Sequence, residues 1–119
     1  MTITRTSFVL AVPNLARASA YWCEVLGFAS ELRPEGWDFV GRDGCRVMLG
    51  ECPDDLPPSA LGSHNYFGYF VLDDLDGYHA EIAARGALIK MPPKDRPWGI
   101  REMIVETPDG HRMVFAQQA

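Results

Sequence analysis

The side chains best suited to chemistry in this sequence are few and scattered. Its three histidines, His64, His79 and His111, and its three cysteines, Cys23, Cys45 and Cys52, follow no spacing that would gather them. The cysteines form neither an even disulfide set nor a CxxC pair, so they read as reduced thiols. His64 lies three residues before Phe67, His79 falls in a helical pattern and His111 on a turn. Isolated histidines in such places read as hydrogen-bonded surface residues rather than ligands. There is no serine-centred elbow and no phosphate-cradling glycine loop. Glu102 would serve as a general base if burial raised its pKa, and the plainer reading is exposure or an ion pair with Arg101 or Arg46. No catalytic residue is assigned.

Binding has more to work with. Strand alternation puts Trp37 and Phe39 on one face of a strand and Phe67 and Tyr69 on one face of another, and Trp98 precedes a third. Aromatic walls suit planar or apolar ligands and attract cations, at about 0.5–2 kcal/mol per ring depending on desolvation. Glu102 would add charge complementarity. Sixteen acidic against eleven basic residues, a formal charge of -5, disfavour a nucleic acid partner and favour a cationic one, unless the excess serves solubility alone. The bland alternative is that these aromatics are core.

The elements that must position these residues come from an internal repeat. An alternating run Ser7-Phe8-Val9-Leu10-Ala11-Val12 reaches Asn14-Leu15, and a helical pattern then ends at Leu26-Gly27-Phe28. Phe67-Gly68-Tyr69-Phe70-Val71-Leu72 reaches Asp74-Leu75, with a helical pattern ending at Arg85-Gly86-Ala87. Asn14 and Asp74 (or Asp73) can cap the first turns, and Gly27 and Gly86 suit the left-handed position after the last. Leu15, Ala18, Trp22 and Leu26 share one helix face and Leu75, Tyr78 and Ile82 another. Hairpins close both halves: Asp43-Gly44-Cys45-Arg46-Val47-Met48-Leu49 mirrors Asp109-Gly110-His111-Arg112-Met113-Val114-Phe115. Strands are expected at about 28–32, 36–41 and 45–50, then about 87–90, 99–106 and 112–117.

Each half therefore reads βαβββ, giving an α+β chain of two repeats whose sheets curl into incomplete barrels. At 119 residues it fits a single domain, with repeat 1 at about 1–50, a linker at about 51–64 rich in proline, and repeat 2 at about 65–119. A hydrophobic content of 47% with 23% charged residues is ordinary for a globular protein, and no stretch approaches the roughly 18 apolar residues of a membrane span. Met1 to Thr6 carry no secretory pattern, which predicts a cytoplasmic location.

The order of these motifs, with xVxNL or xxxDDL before each helix, LGF after the first and TPDGHRMVF at the end, resembles the glyoxalase, bleomycin-resistance protein and extradiol dioxygenase (vicinal oxygen chelate) superfamily. The likeness covers nearly the whole chain. Pro97-Trp98-Gly99 followed by Arg101-Glu102 is most similar to the bleomycin-resistance branch. The resemblance implies a homodimer, with halves paired within a chain or exchanged between chains, and ligands held in interface clefts. It also implies four metal-ligand positions in the metal-dependent members. Ser7 and Phe67, each seven residues before Asn14 and Asp74, take two of them, and Met48 and Val114 take the others. Neither Phe67 nor Val114 offers a donor, and Met48 offers only a soft thioether. Recruiting Glu51 would need a slip of three residues, which turns it to the opposite face of a regular strand.

The expected function is thus a metal-independent binding protein, without cofactor, that sequesters a small aromatic or cationic compound such as a bleomycin-like antibiotic. Its expected binding residues are Ser7, Trp37, Phe39, Met48, Phe67, Tyr69, Trp98, Glu102 and Val114. The alternatives are a lyase, isomerase or dioxygenase using a displaced metal site, and an interaction module whose hollow is filled by its own side chains.

Overall fold

The computed structural model describes Met1, Thr2 and residues 4–62 and 65–118. Two compact units divide the chain, Met1–Leu56 and Pro57–Ala119. Both contain the βαβββ order that the repeat requires. In the first unit, β1 (Ser7–Val12), β2 (Ala29–Leu32), β3 (Trp37–Arg42) and β4 (Cys45–Glu51) form one sheet in the order β1-β4-β3-β2. In the second, β5 (Tyr66–Val71), β6 (Leu88–Asp95), β7 (Ile100–Glu106) and β8 (Arg112–Gln118) form another in the order β5-β8-β7-β6. The first and last strands of each unit run parallel and the other pairs antiparallel.

Helix α1 (Leu15–Ala20) starts where Asn14 Oδ1 accepts from the Arg17 amide at 3.0 Å. It continues as a π-helical turn, Tyr21–Val25, in which the Leu26 amide reaches back to the Tyr21 carbonyl at 3.1 Å. Tyr21 is buried beside Ala18, Trp22 and Leu26, widening the apolar stripe at the ordinary spacing of three and four. Trp22 meets Phe28 edge-on with centroids 5.0 Å apart. Leu10, Val12, Val40, Val47 and Leu49 supply the sheet side of this core, each such buried side chain contributing about 1.5–3 kcal/mol. Helix α2 (Leu75–Ala84) repeats the arrangement: Asp74 Oδ1 accepts from the Gly77 amide, and Leu75 and Ile82 are buried with Met103, Val105, Met113 and Phe115. Tyr78 packs on Phe115 at 5.0 Å.

Turns fall where local chemistry requires them. Asp43 and Gly44 both take positive φ, 51° and 80°, the backbone of a two-residue type I′ hairpin, and Gly27 and Gly86 follow their helices at 79° and 88°. Strand β6 runs on to Asp95 where an end near residue 90 is expected, across Pro92 and Pro93. Its position at the sheet edge tolerates prolines that cannot donate to a ladder, at the cost of two register shifts against β7. The proline-rich segment contains a 3-10 turn at Pro58–Leu61 and is tied to the second unit. Asn65 Nδ2 donates to the Pro58 carbonyl at 3.1 Å, and Arg112 Nη1 to that of Gly62 at 2.6 Å. Among the described residues, no helix is long and apolar enough to cross a membrane.

Candidate functional site

Because one face of each sheet carries the helix, strand alternation leaves the other face available for a ligand. In the first unit the register aligns three rows across β1, β4 and β3: Ser7, Arg46 and Gly41; Val9, Met48 and Phe39; Ala11, Gly50 and Trp37. Val9 is 62% exposed there. The Trp37 ring lies over Gly50, where a Cβ would come within 2.8 Å of ring carbons. It meets Phe39 nearly at right angles, centroids 6.1 Å apart. Arg46 closes one end of this aromatic ledge, its guanidinium 5.8 Å from the Phe39 centroid and its Nε 3.1 Å from Glu31 Oε1. Ser7, Trp37, Phe39 and Met48 thus lie on one face.

The second unit aligns Tyr69, Val114 and Ile104 in one row and Val71, Ala116 and Glu102 in the next. Tyr69, 48% exposed, donates its hydroxyl proton to Glu102 Oε2 at 2.7 Å. That hydrogen bond, reinforced by desolvation and the nearby negative charge, pushes the phenol up to about 12. Arg96 Nε lies 3.8 Å from Glu102 Oε1, and the Arg96 guanidinium sits 4.6 Å over the Trp98 ring. Tyr69, Glu102, Arg96 and Trp98 form one connected chain. The expected partners of Glu102 are corrected by this arrangement. Arg101 projects to the helix face, where it bridges Asp76 and Asp95, and Arg46 pairs with Glu31.

Phe67 departs from the expected alternation. Tyr66 pairs with Arg112 and Gly68 with Met113, so two steps on β5 match one on β8 and Phe67 is the bulged residue. Its ring meets Phe70 at 6.0 Å and His111 at 6.3 Å, while Phe70 packs on Phe115 in the helix-side core. Phe67 therefore does not share a face with Tyr69. By ladder position the counterpart of Ser7 is Tyr66, since Ser7 pairs with Arg46 and Tyr66 with Arg112.

His111 is corrected as well: it is 3% exposed rather than at the surface, and its amide donates to Thr107 Oγ1 at 3.1 Å. His64 lies outside the described residues. The metal-ligand positions offer a hydroxyl and a thioether on one sheet, and on the other an isopropyl group and a phenyl ring turned into a bulge. This donor set does not fit a divalent ion. Glu51 does not remedy it, because its Oε2 faces the helix side and accepts from the Leu15 amide at 2.9 Å. Among the described residues no three of His, Cys, Asp and Glu gather into a metal-holding group. The sequence reading passed over Arg96, Glu31 and Gly50. The glycine directly opposite a strand tryptophan was the one legible signal among them.

Comparison with known proteins agrees with this architecture. TioX from Micromonospora sp. ML1 superposes with a TM-score of 0.74 at 25% identity, over 96% of this chain and 99% of its own. The bleomycin-binding protein of bleomycin-producing Streptomyces verticillus, solved with copper(II)-bleomycin, gives 0.78 at 19%, over 100% and 99%. The fosfomycin resistance protein FosX from Listeria monocytogenes gives 0.78 at 18%, over 100% and 96%. No curated protein matches the sequence. The family model described as Glyoxalase/Bleomycin resistance protein/Dioxygenase superfamily matches residues 4–115, and to that superfamily the chain belongs.

Proposed function

We propose that this protein binds and sequesters a small planar, cationic compound without a metal, and that it works as a homodimer. The observation that carries the reading is the Trp37 ring laid over Gly50 beside Phe39 and Met48. A ring held flat by the absence of a side chain beneath it offers its π-face for stacking, with a polarisable thioether next to it. The second unit by itself carries a polar handle in Glu102 and the Tyr69 hydroxyl, and the net charge of -5 favours approach of a cation. Exposed Val9 and Tyr69 on the open faces support the dimer, which would cover them. The solved bleomycin-binding proteins add context at the level of fold.

Tryptophan fluorescence tests this reading. Of the three tryptophans Trp22 is buried, so a ligand reports through Trp37 and Trp98. Titration with a panel of planar cations, bleomycin included, should give a saturable change that Trp37→Leu removes. No response across the panel would overturn the proposal. A stoichiometric divalent metal that survives dialysis, and whose removal abolishes turnover, would do the same in favour of lyase, isomerase or dioxygenase chemistry.

A further inference from the structure

A cavity lies on the helix side of the first sheet, between α1 and the ends of β2 and β3. It encloses about 570 Å³, within the roughly 300–1,000 Å³ of small-molecule sites. Leu15, Ala16, Ala20 and Trp37 give it an apolar wall, while Arg33 and the carboxylates Glu24, Asp38 and Glu51 supply the charged side. Three carboxylates face one guanidinium. Asp38 decides the chemistry, because it is only 2% exposed and occupies the helix-facing side of β3 with Val40.

Its two oxygens are treated differently. Oδ2 accepts from the Ser30 hydroxyl at 2.9 Å and lies 3.6 Å from Arg33 Nε, beyond hydrogen-bond reach. Arg33 spends its Nη2 donor on Ser30 Oγ at 2.9 Å. Oδ1 is buried and accepts no hydrogen bond among the described residues. A buried carboxylate oxygen without a donor is costly, which marks the position as one completed by something else.

We propose that this cavity binds a primary alkylammonium group, with the nitrogen donating to Asp38 Oδ1 and a short alkyl tail along Leu15, Ala16 and Ala20. Arg33 is the internal cation that the ligand displaces. Its side chain is 68% exposed, so moving it aside costs little and opens Asp38 to the cavity. A metal ion is the poorer occupant, since the carboxylates and the thiol along this cavity do not converge as three ligands that could hold one, among the described residues. The cavity borders the aromatic ledge at Trp37, which lines both, but its chemistry rests on Asp38 and does not depend on the function proposed for the ledge.

The test is a titration of the isotope-labelled protein with n-butylammonium, followed by amide chemical shifts. Saturable shifts at Ser19, Cys23, Arg33 and Asp38 are expected, with none from n-butanol or tetramethylammonium, which lack the charge or the N–H donors. Asp38→Asn should weaken binding about tenfold, as expected for losing a charge-assisted hydrogen bond in a buried place. Arg33→Ala should strengthen it several-fold by removing the competing cation, and Ser19→Trp, which fills the cavity and leaves Asp38 intact, should abolish it. These two variants carry the test if Asp38→Asn does not fold. Absence of saturable shifts, equal binding to Asp38→Asn, or weakened binding to Arg33→Ala would each overturn the proposal.

Discussion

Glu51 on β4 and Gln117 on β8 stand at the same step of their two repeats and perform the same task. Glu51 Oε2 accepts from the Leu15 amide at 2.9 Å, and Gln117 Oε1 accepts from the Leu75 amide at 2.8 Å. In each unit the last strand thus satisfies one of the first-turn amides that its helix cannot satisfy itself, while Asn14 or Asp74 satisfies another. Gln117 also donates through Nε2 to the Asp73 carbonyl at 3.0 Å. The helix entry is therefore pinned to the strand beside the open face, and the repeat preserves the contact while changing a charged acceptor for a neutral one.

From this follows a stability prediction. Glu51→Ala and Gln117→Ala should each cost about 0.5–2 kcal/mol, the range for losing a helix-capping acceptor. Glu51→Gln should cost less than Glu51→Ala, because the amide still accepts and only the attraction of a carboxylate for the helix N-terminus is lost. Chemical denaturation of the four proteins measures this. Full stability in both alanine variants would show that the two contacts do no capping.

Gly50 makes the ledge possible, so Gly50→Ala should disturb it directly. A methyl group at that position would meet the Trp37 ring at 2.8 Å, and overpacking of this kind costs about 1–3 kcal/mol. The expected result is a lower melting temperature with a shifted tryptophan emission maximum and weakened response to planar ligands. An unchanged emission spectrum would mean that Trp37 does not rest on β4.

Much of this was legible because it is local. Asn14, Asp74, Gly27 and Gly86 mark helix ends through hydrogen bonds and dihedrals that involve a few neighbouring residues, and Asp43-Gly44 specifies its own turn. The face of Glu51 followed from period two alone. What escaped depends on partners distant in sequence. The bulge that withdraws Phe67 is set by its match to β8, the continuation of β6 through Pro92 and Pro93 by its edge position, and the pairing of Glu102 with Arg96 rather than Arg101 by which face each side chain takes. Trp37 and Phe39 were read together correctly because β3 is regular across both.

Cysteine reactivity gives an independent check on burial. Desolvation pushes the Cys45 thiol above its usual range, whereas Cys52 is exposed. Since the thiolate is the reacting form, a thiol-specific disulfide reagent at mildly alkaline pH should label Cys52 first and Cys45 more slowly. Cys52→Ser and Cys45→Ser variants assign the phases. Equal rates for the two would show Cys45 to be freely accessible.

The Tyr69–Glu102 hydrogen bond predicts a pH dependence with a definite sign. Hydrogen bonding to Glu102 raises the folded phenol from its ordinary 10.0 to about 12, so the bound proton favours the folded state. That contribution is fully present below 10.0; above it the unfolded chain releases the proton while the folded one retains it, and stability declines until about 12 is reached. Tyrosinate absorbance should contain a late component from Tyr69, and Tyr69→Phe should remove that contribution. Glu102→Gln removes the charge and keeps an acceptor, so the late titration should move back toward 10.0 and the alkaline loss of stability should shrink. A late component that persists unchanged in Glu102→Ala, which removes charge and acceptor together, would assign the shift to burial alone and break the link between this carboxylate and the phenol.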